Sequence, residues 1–103
     1  MSTDGEIIRR VLSGELDAFG ELVTKYQGPM YAVTLPRVRD YQDAEDICQE
    51  AFLRAYRSLP NLKKTDAFAG YLFSILRRLC SDFLRGKWSI EKRTQPLEEL
   101  GPP

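Results

Sequence analysis

One stretch of this chain, residues 43–56, combines an apolar stripe with a cluster of carboxylate and amide side chains. The stripe consists of Ala44, Ile47, Cys48, Ala51, Ala55 and Leu59. Its steps of three and four residues predict a helix with one buried face. The polar cluster consists of Glu45, Asp46, Gln49 and Glu50. It lies off the stripe and is predicted to be exposed, where clustered carboxylates would attract Arg and Lys of a protein partner.

The acids of this stretch have a second interpretation. Asp43, Glu45 and Asp46 are equally typical of a helix start, where a carboxylate is stabilised by roughly 0.3–1 kcal/mol. Gln49 and Glu50 lie one turn further into the helix and fit that interpretation less well. Spacing alone leaves both a protein contact and a solvated helix face open.

Residues 59–87 interleave basic and aromatic side chains. These are Lys63, Lys64, Tyr71, Phe73, Arg77, Arg78 and Arg85. Cations that follow a phosphate backbone, with rings that receive unstacked bases, suit single-stranded nucleic acid. One face of the predicted helix carries Tyr71, Ser74, Arg78, Asp82 and Arg85. A polar face of this kind is also common on any surface helix, so the two interpretations stand side by side.

Net charge is zero over the 103 residues, but the charges are unevenly divided. Residues 1–50 hold ten acids and five bases, whereas residues 51–103 hold ten bases and five acids. An acidic front and a basic back indicate either two partners of opposite charge or two ordinary solvated faces.

Several classes of function are excluded by composition. The chain has no histidine and only two cysteines, which argues against a zinc site and against histidine acid–base catalysis. No glycine-rich phosphate loop is present. We therefore predict that the protein is not an enzyme and has no metal or cofactor. Cys48 and Cys80 fall on helix stripes and are expected to be buried free thiols of a cytoplasmic protein.

The remaining pattern predicts an all-α fold, a small bundle of three to five helices formed by residues 1–87. No apolar run is long enough to span a membrane, and residues 1–20 do not resemble a secretory signal. Residues 88–103 are expected to be a linker or tail, docked by Trp88.

Helix boundaries follow from capping residues and breakers. We expect Thr3 or Asp4 to cap the first helix, whose apolar face includes Leu12, and Asp17, Asp43 and Asp66 to cap the next three. Gly28-Pro29 is expected to kink or interrupt the second helix, and Pro36 to perturb its last turn. Gly86 is expected to end the last helix. Its core stripe is Phe68, Leu72, Ile75, Leu76, Leu79 and Phe83.

The segment from Asp43 to Tyr56 resembles the core-polymerase-binding helix of bacterial sigma factors. The order of other blocks extends the likeness over residues 4–87: Leu12-Ser13-Gly14, Ala18-Phe19, Leu22, Tyr26, Pro29, then Phe68, Tyr71-Leu72, Ile75, Arg77 and Asp82-Phe83-Leu84-Arg85. Together they look like region 2 of the extracytoplasmic-function group.

That resemblance implies two binding roles and no covalent chemistry. The helix would bind the clamp helices of the polymerase β′ subunit through Asp46, Gln49, Glu50 and Arg54. The loop and last helix would hold the melted promoter −10 element as single-stranded DNA. The residues implied there are Asn61, Leu62, Lys63, Lys64, Thr65, Tyr71, Arg77, Arg78 and Arg85. An anti-sigma protein is a further candidate partner.

Departures from the family pattern leave one alternative function open. Many members carry Arg-Gly where this chain has Lys63-Lys64, Trp at Tyr71 and Asn at Arg78. The alternative is a helical interaction module that binds polymerase or an anti-sigma protein without reading DNA. A complete factor also carries a second domain for the −35 element, so the chain is either a fragment or a truncated protein, and we favour the fragment.

Overall fold

The computed structural model describes residues 2–88. Within this range it forms four α-helices: α1 (Asp4–Leu12), α2 (Phe19–Val38), α3 (Tyr41–Ser58) and α4 (Phe68–Leu84). Helices α2, α3 and α4 contact one another pairwise, and α1 lies against α2 and the connection between α3 and α4. The predicted all-α bundle is confirmed. The proposed linker or tail, residues 88–103, lies outside the described range except for Trp88, which is buried beside Phe83.

The start of α1 follows the sequence prediction. The Thr3 hydroxyl accepts a hydrogen bond from the Glu6 backbone N–H, while the Glu6 carboxylate accepts one from the Thr3 backbone N–H. This reciprocal capping box satisfies two donors that a helix start leaves free. The prediction that Leu12 belongs to the apolar face is wrong, because Leu12 lies at the end of α1 and is exposed.

Capping predictions at the other three helices are wrong. The short 3-10 turns Leu16–Ala18 and Thr65–Ala67 run directly into α2 and α4, and neither helix has a side-chain cap. Asp17 and Asp66 therefore lie inside turns that are already helical. Helix α3 begins two residues before Asp43, and Asp40 caps it by accepting from the Asp43 backbone N–H at 2.9 Å.

Helix α2 is continuous through both prolines, so of the two predicted effects of Gly28-Pro29, a kink or a break, the break is wrong. A proline inside a helix removes one backbone donor and crowds the preceding turn. Met30 and Thr34 nevertheless lie fully buried beyond Pro29, which indicates that packing of the second half of α2 offsets the lost hydrogen bond.

The core is built from the predicted stripes. All six residues of the first stripe are buried, five of them in α3 and Leu59 directly after it. Helix α4 buries Phe68, Leu72, Leu76 and Leu79, whereas Ile75 and Phe83 are half-buried. Phe73, whose direction was open, is half-buried and meets the Tyr26 ring edge-on, with centroids 6.3 Å apart.

Both cysteines are buried free thiols, as predicted. Each donates a weak hydrogen bond to the Thr34 hydroxyl oxygen, Cys48 at 3.8 Å and Cys80 at 3.7 Å. This contact joins α2, α3 and α4 and gives the buried Thr34 polar partners.

Candidate protein and nucleic-acid interfaces

The acidic-amide cluster of α3 is divided between surface and interior. Glu45 and Gln49 are exposed, and the Gln49 amide donates to the Glu45 carboxylate at 3.3 Å. Asp46 and Glu50 are buried, with 7% and 1% of their surface exposed. The prediction of one exposed four-residue patch is therefore wrong.

The buried acids have polar partners that compensate the loss of water. The Gln42 amide donates to the Asp46 carboxylate at 3.2 Å, and the Glu50 carboxylate accepts from Arg54 Nε at 2.8 Å. In a helix of 3.6 residues per turn, Glu50 lies only about 60° from Ile47. Packing covers a wider arc of α3 than its apolar stripe, which residue types alone did not indicate.

The two exposed members border a cleft between α2 and α3. This α2–α3 cleft, of about 170 Å³, is lined by Val23, Gln27, Tyr31, Glu45, Cys48, Gln49 and Phe52. Burial raises the pKa of Tyr31, with a further contribution from the Glu45 carboxylate. The cleft thus presents a neutral phenol beside an acid and two amides. Sequence reasoning missed Gln27 and Tyr31, although their spacing of four places them on one helix face.

The loop between α3 and α4 forms a cup. This loop cup, of about 500 Å³, is lined by Lys63, Lys64, Thr65, Asp66 and Ala67. Both lysines are exposed and Thr65 is half-buried, so three of the predicted DNA-binding residues come together here. Two further residues of this loop, Asn61 and Leu62, were predicted to bind DNA. Asn61 is exposed, whereas Leu62 packs against the core and serves the fold.

The loop cup rests on α1. A Cβ atom built on Gly5 would lie 3.0 Å from both Thr65 Oγ1 and Asp66 Oδ1. Such a distance is tighter than ordinary van der Waals contact, so the missing side chain lets α1 approach the loop. No local pattern predicts this contact, because Gly5 lies some sixty positions from the loop along the chain.

A second basic site lies between α3 and α4. This arginine groove, of about 430 Å³, is lined by Arg54, Arg57, Ser58, Tyr71, Ile75 and Arg78. It joins Tyr71 and Arg78, predicted to bind DNA, with Arg54, predicted to bind polymerase. Arg57 and Ser58 were in neither set, although Arg54, Arg57 and Ser58 have the spacing of one helix face.

The other predicted DNA-binding residues of α4 lie outside this groove. Arg77 is exposed. Arg85 is exposed just past the end of α4, where its guanidinium donates to the Asp82 carboxylate at 3.0 Å. An ion pair this exposed is weak, so Arg85 stays accessible to an anion.

Other kinds of site are not found in the part of the chain that the structure describes. Residues 2–88 contain no group of three or more His, Cys, Asp or Glu side chains that could hold a metal ion. None of the helices in this range is long and apolar enough to cross a membrane.

Comparison with known proteins identifies the family. The family described as Sigma-70 region 2 matches residues 22–90. RNA polymerase sigma-H factor of Pseudomonas aeruginosa is 40% identical over 72 residues, which cover 70% of this chain and 37% of that protein. ECF RNA polymerase sigma factor SigW of Bacillus subtilis is 34% identical over 80 residues, covering 78% of this chain and 43% of that protein. ECF RNA polymerase sigma-E factor of Haemophilus influenzae is 32% identical over 98 residues, which cover 95% of this chain and 49% of that protein.

The chain belongs to the sigma-70 region 2 family and is similar to sigma factors of the extracytoplasmic-function group. Membership of this family confirms the prediction that the domain is not an enzyme. The chain spans less than half the length of these relatives. No solved structure matches the chain significantly.

Proposed function

We propose that this chain is a transcription initiation module that binds the RNA polymerase core and holds the melted −10 element of a promoter. The observation that carries the proposal is the pair of basic concavities, the loop cup and the arginine groove, on a chain of the sigma-70 region 2 family. The module would act in the bacterial cytoplasm, as a domain of residues 1–87 followed by a linker or tail, with no cofactor.

The polymerase contact is assigned to α3 and the β′ clamp helices. The proposed contact residues are Asp46, Gln49, Glu50 and Arg54. Gln49 is exposed and Arg54 is partly exposed, so these two meet a partner most readily. Glu45 joins them, because its carboxylate is exposed beside Gln49 at the rim of the α2–α3 cleft. A basic partner would find an acid, two amides and a phenol there.

The polymerase contact is tested by reversing the exposed acid. Glu45→Lys should place like charges at the interface and weaken association with purified core polymerase by roughly 1–3 kcal/mol. Asp17→Lys makes the same charge change at an exposed acid away from α3 and should leave binding unchanged. If both variants bind equally in a pull-down and have unchanged circular dichroism, the assignment of the polymerase contact to this face of α3 is wrong.

The DNA contact is assigned to the loop cup and the α4 face. Lys63 and Lys64 would neutralise phosphates, while the cup would receive an unstacked base. Arg77, Arg78 and Arg85 would follow the backbone, and Tyr71 would offer a ring. Asn61 and Thr65 supply polar groups, and Leu62 would position the loop.

The DNA contact is tested by neutralising the loop. Replacing Lys63 and Lys64 together by Gln should weaken binding to a labelled single-stranded promoter oligonucleotide, measured with polymerase core present. The salt slope should also fall, by about 0.7 for each phosphate of the single strand that a lysine no longer neutralises. Replacing the exposed Arg37 and Arg39 together by Gln removes the same charge elsewhere and is the control.

The alternative function has a distinct outcome. If the lysine variant binds polymerase normally and its affinity and salt slope for DNA match those of the control, the loop does not meet DNA. The domain would then be an interaction module for polymerase or an anti-sigma protein.

A further inference from the structure

Two buried thiols from different helices point at one oxygen atom in the core. Cys48 of α3 and Cys80 of α4 each donate to the Thr34 hydroxyl oxygen of α2, at 3.8 Å and 3.7 Å. The two sulfurs therefore lie no further apart than these two hydrogen bonds laid end to end. Both are free thiols, and no more than 3% of the surface of either residue is exposed. This pair, the core dithiol, brings two soft ligand atoms from separate helices to one point.

The core dithiol borders on the surface at one end. Cys48 forms part of the lining of the α2–α3 cleft, whereas Cys80 is completely buried. The exposed Glu45 carboxylate lines the same cleft, and a carboxylate raises the local concentration of cations. A small cation that enters the cleft meets the Cys48 sulfur first and the Cys80 sulfur next, in the interior.

The available ligands select a soft ion of low coordination number. Thiolate sulfur prefers soft metal ions. Zn²⁺ is almost always held by four ligands in a structural site, whereas this chain has no histidine and no third cysteine. A monovalent ion between two thiolates would leave a negative charge in the core, where an isolated charge is costly. A divalent ion that binds two sulfurs in a line, as Hg²⁺ does, replaces two thiol protons and leaves the core neutral.

We propose that the core dithiol is a binding site for one soft divalent metal ion with the two-coordinate chemistry of Hg²⁺, held between the Cys48 and Cys80 sulfurs. Each S–H bond breaks, each sulfur forms one bond to the ion, and two protons leave to solvent, so no oxidant or reductant is needed. Burial raises the pKa of the Cys48 thiol to about 11, which disfavours a bare thiolate but not this neutral complex. The bound ion joins α3 to α4 through the core.

Stoichiometry and competition test whether both sulfurs hold the ion. The 103-residue chain is mixed with one equivalent of mercuric chloride, then with several equivalents of glutathione, and is analysed by native mass spectrometry. The parent should retain one ion per chain, with two protons lost and neither chloride nor glutathione attached. Cys48→Ala and Cys80→Ala each leave one sulfur, so these variants should lose the ion or keep it only with glutathione as the second ligand. Circular dichroism checks that both variants retain their helices.

Two outcomes of the same experiment would overturn the proposal. A parent that gives up its ion as readily as the single-thiol variants would show that the sulfurs do not act together. A complex of two chains joined by one ion would show that the sulfurs bind from the surface and not within one core.

Thermal melting of the parent tests whether the ion fits the folded core, independently of any variant. An ion that binds the folded chain more tightly than the unfolded chain stabilises the fold. One equivalent of mercuric chloride should raise the melting temperature of the parent by roughly 4 °C or more. It should not raise that of Cys80→Ala, in which one sulfur cannot join two helices. A fall in the melting temperature of the parent would show that the ion opens the core and would overturn the proposal. Polymerase and DNA are absent from these measurements, so their result is independent of the proposed function.

Discussion

The α1–α2 junction and the arginine groove use the same kinds of charged residue in opposite ways. At the junction, Lys25 Nζ lies 2.7 Å from the Asp4 carboxylate, and Arg10 pairs with both Glu15 and Glu21. In the groove, Arg57 and Arg78 have no carboxylate within ion-pair distance among the described residues. Charges paired inside the chain already have a partner of opposite sign, whereas charges left unpaired in a concavity are available to an anion from outside.

The Glu50–Arg54 pair stands between these two cases. Its carboxylate is buried within the bundle, while its guanidinium reaches the rim of the arginine groove. The pair therefore both stabilises α3 and orients one wall of the groove. Variants at the Glu50–Arg54 pair and at the α1–α2 junction test how much each paired charge contributes to the stability of the fold.

The largest effect is expected at Glu50. Glu50→Lys buries a cation beside Arg54 and removes that residue's partner, which should lower the free energy of unfolding by about 3–5 kcal/mol. Glu45→Lys makes the same change on an exposed residue of the same helix and should shift stability by about 0.5 kcal/mol or less. Urea denaturation followed by circular dichroism measures both. Similar midpoints would contradict the buried position of Glu50.

The second largest effect on stability is expected at Cys48, whose thiol is buried and neutral. Burial raises the pKa of the Cys48 thiol from 9.0 to about 11, so the folded chain holds this proton more tightly than the unfolded chain. The resulting stability is fully present below pH 9 and is lost as the pH rises towards 11, by roughly 2 kcal/mol. Cys48→Ala should flatten this decline, measured by urea denaturation at several pH values. A decline of the same slope in Cys48→Ala would show that other groups cause it.

A smaller effect is expected at the α1–α2 junction. The Asp4 carboxylate accepts hydrogen bonds from Lys25 Nζ and the Tyr26 hydroxyl across 21 and 22 residues of sequence. Asp4→Asn retains the size of the side chain but removes its charge and should cost about 1–2 kcal/mol. Asp17→Asn is the matched control and should cost almost nothing, because Asp17 caps no helix. If both variants melt at the parent temperature, the junction is not held by these bonds.

Local pattern predicted the buried parts of this domain better than its charged parts. The α3 stripe is buried at every predicted position, because apolar periodicity reflects the same burial that stabilises the bundle. Helix starts were harder to predict from the sequence. Asp17 and Asp66 have side chains typical of caps, but they lie in 3-10 turns that continue into helices. Pro29 does not break α2, because the packing of Met30 and Thr34 beyond it outweighs the local preference of proline against a helix.

The candidate site shows the same division. Lys63, Lys64, Tyr71, Arg77 and Arg78 were predicted from composition, spacing and resemblance, and the structure leaves them exposed or half-buried, so that they are accessible to a partner. The burial of Asp46 and Glu50 was missed, because it depends on the width of the covered arc of α3. Arg57 and Gly5 were missed for a related reason. Arg57 lines a groove between α3 and α4, and Gly5 lies against the loop cup, so both positions depend on contacts between separate elements that no local pattern records.

The smallest effect on stability, and the sharpest test of the α1 contact, concerns Gly5. Gly5 and Gly20 each occupy the second position of a helix, α1 and α2 respectively. Nothing lies within 4 Å of a Cβ built on Gly20, so Gly20→Ala should stabilise the domain by roughly 0.5–1 kcal/mol. Gly5→Ala gains the same helix preference but places its methyl group 3.0 Å from side-chain oxygens of Thr65 and Asp66.

Those two oxygens must shift by a few tenths of an ångström to admit the methyl group, which offsets the gain in stability. The displaced residues line the loop cup, so Gly5→Ala should also weaken single-strand binding while leaving the salt slope unchanged, because no cation is removed. Thermal melting and the oligonucleotide titration measure the two effects. Gly20→Ala should bind like the parent chain. If Gly5→Ala stabilises the domain as Gly20→Ala does and binds equally well, α1 does not position the loop.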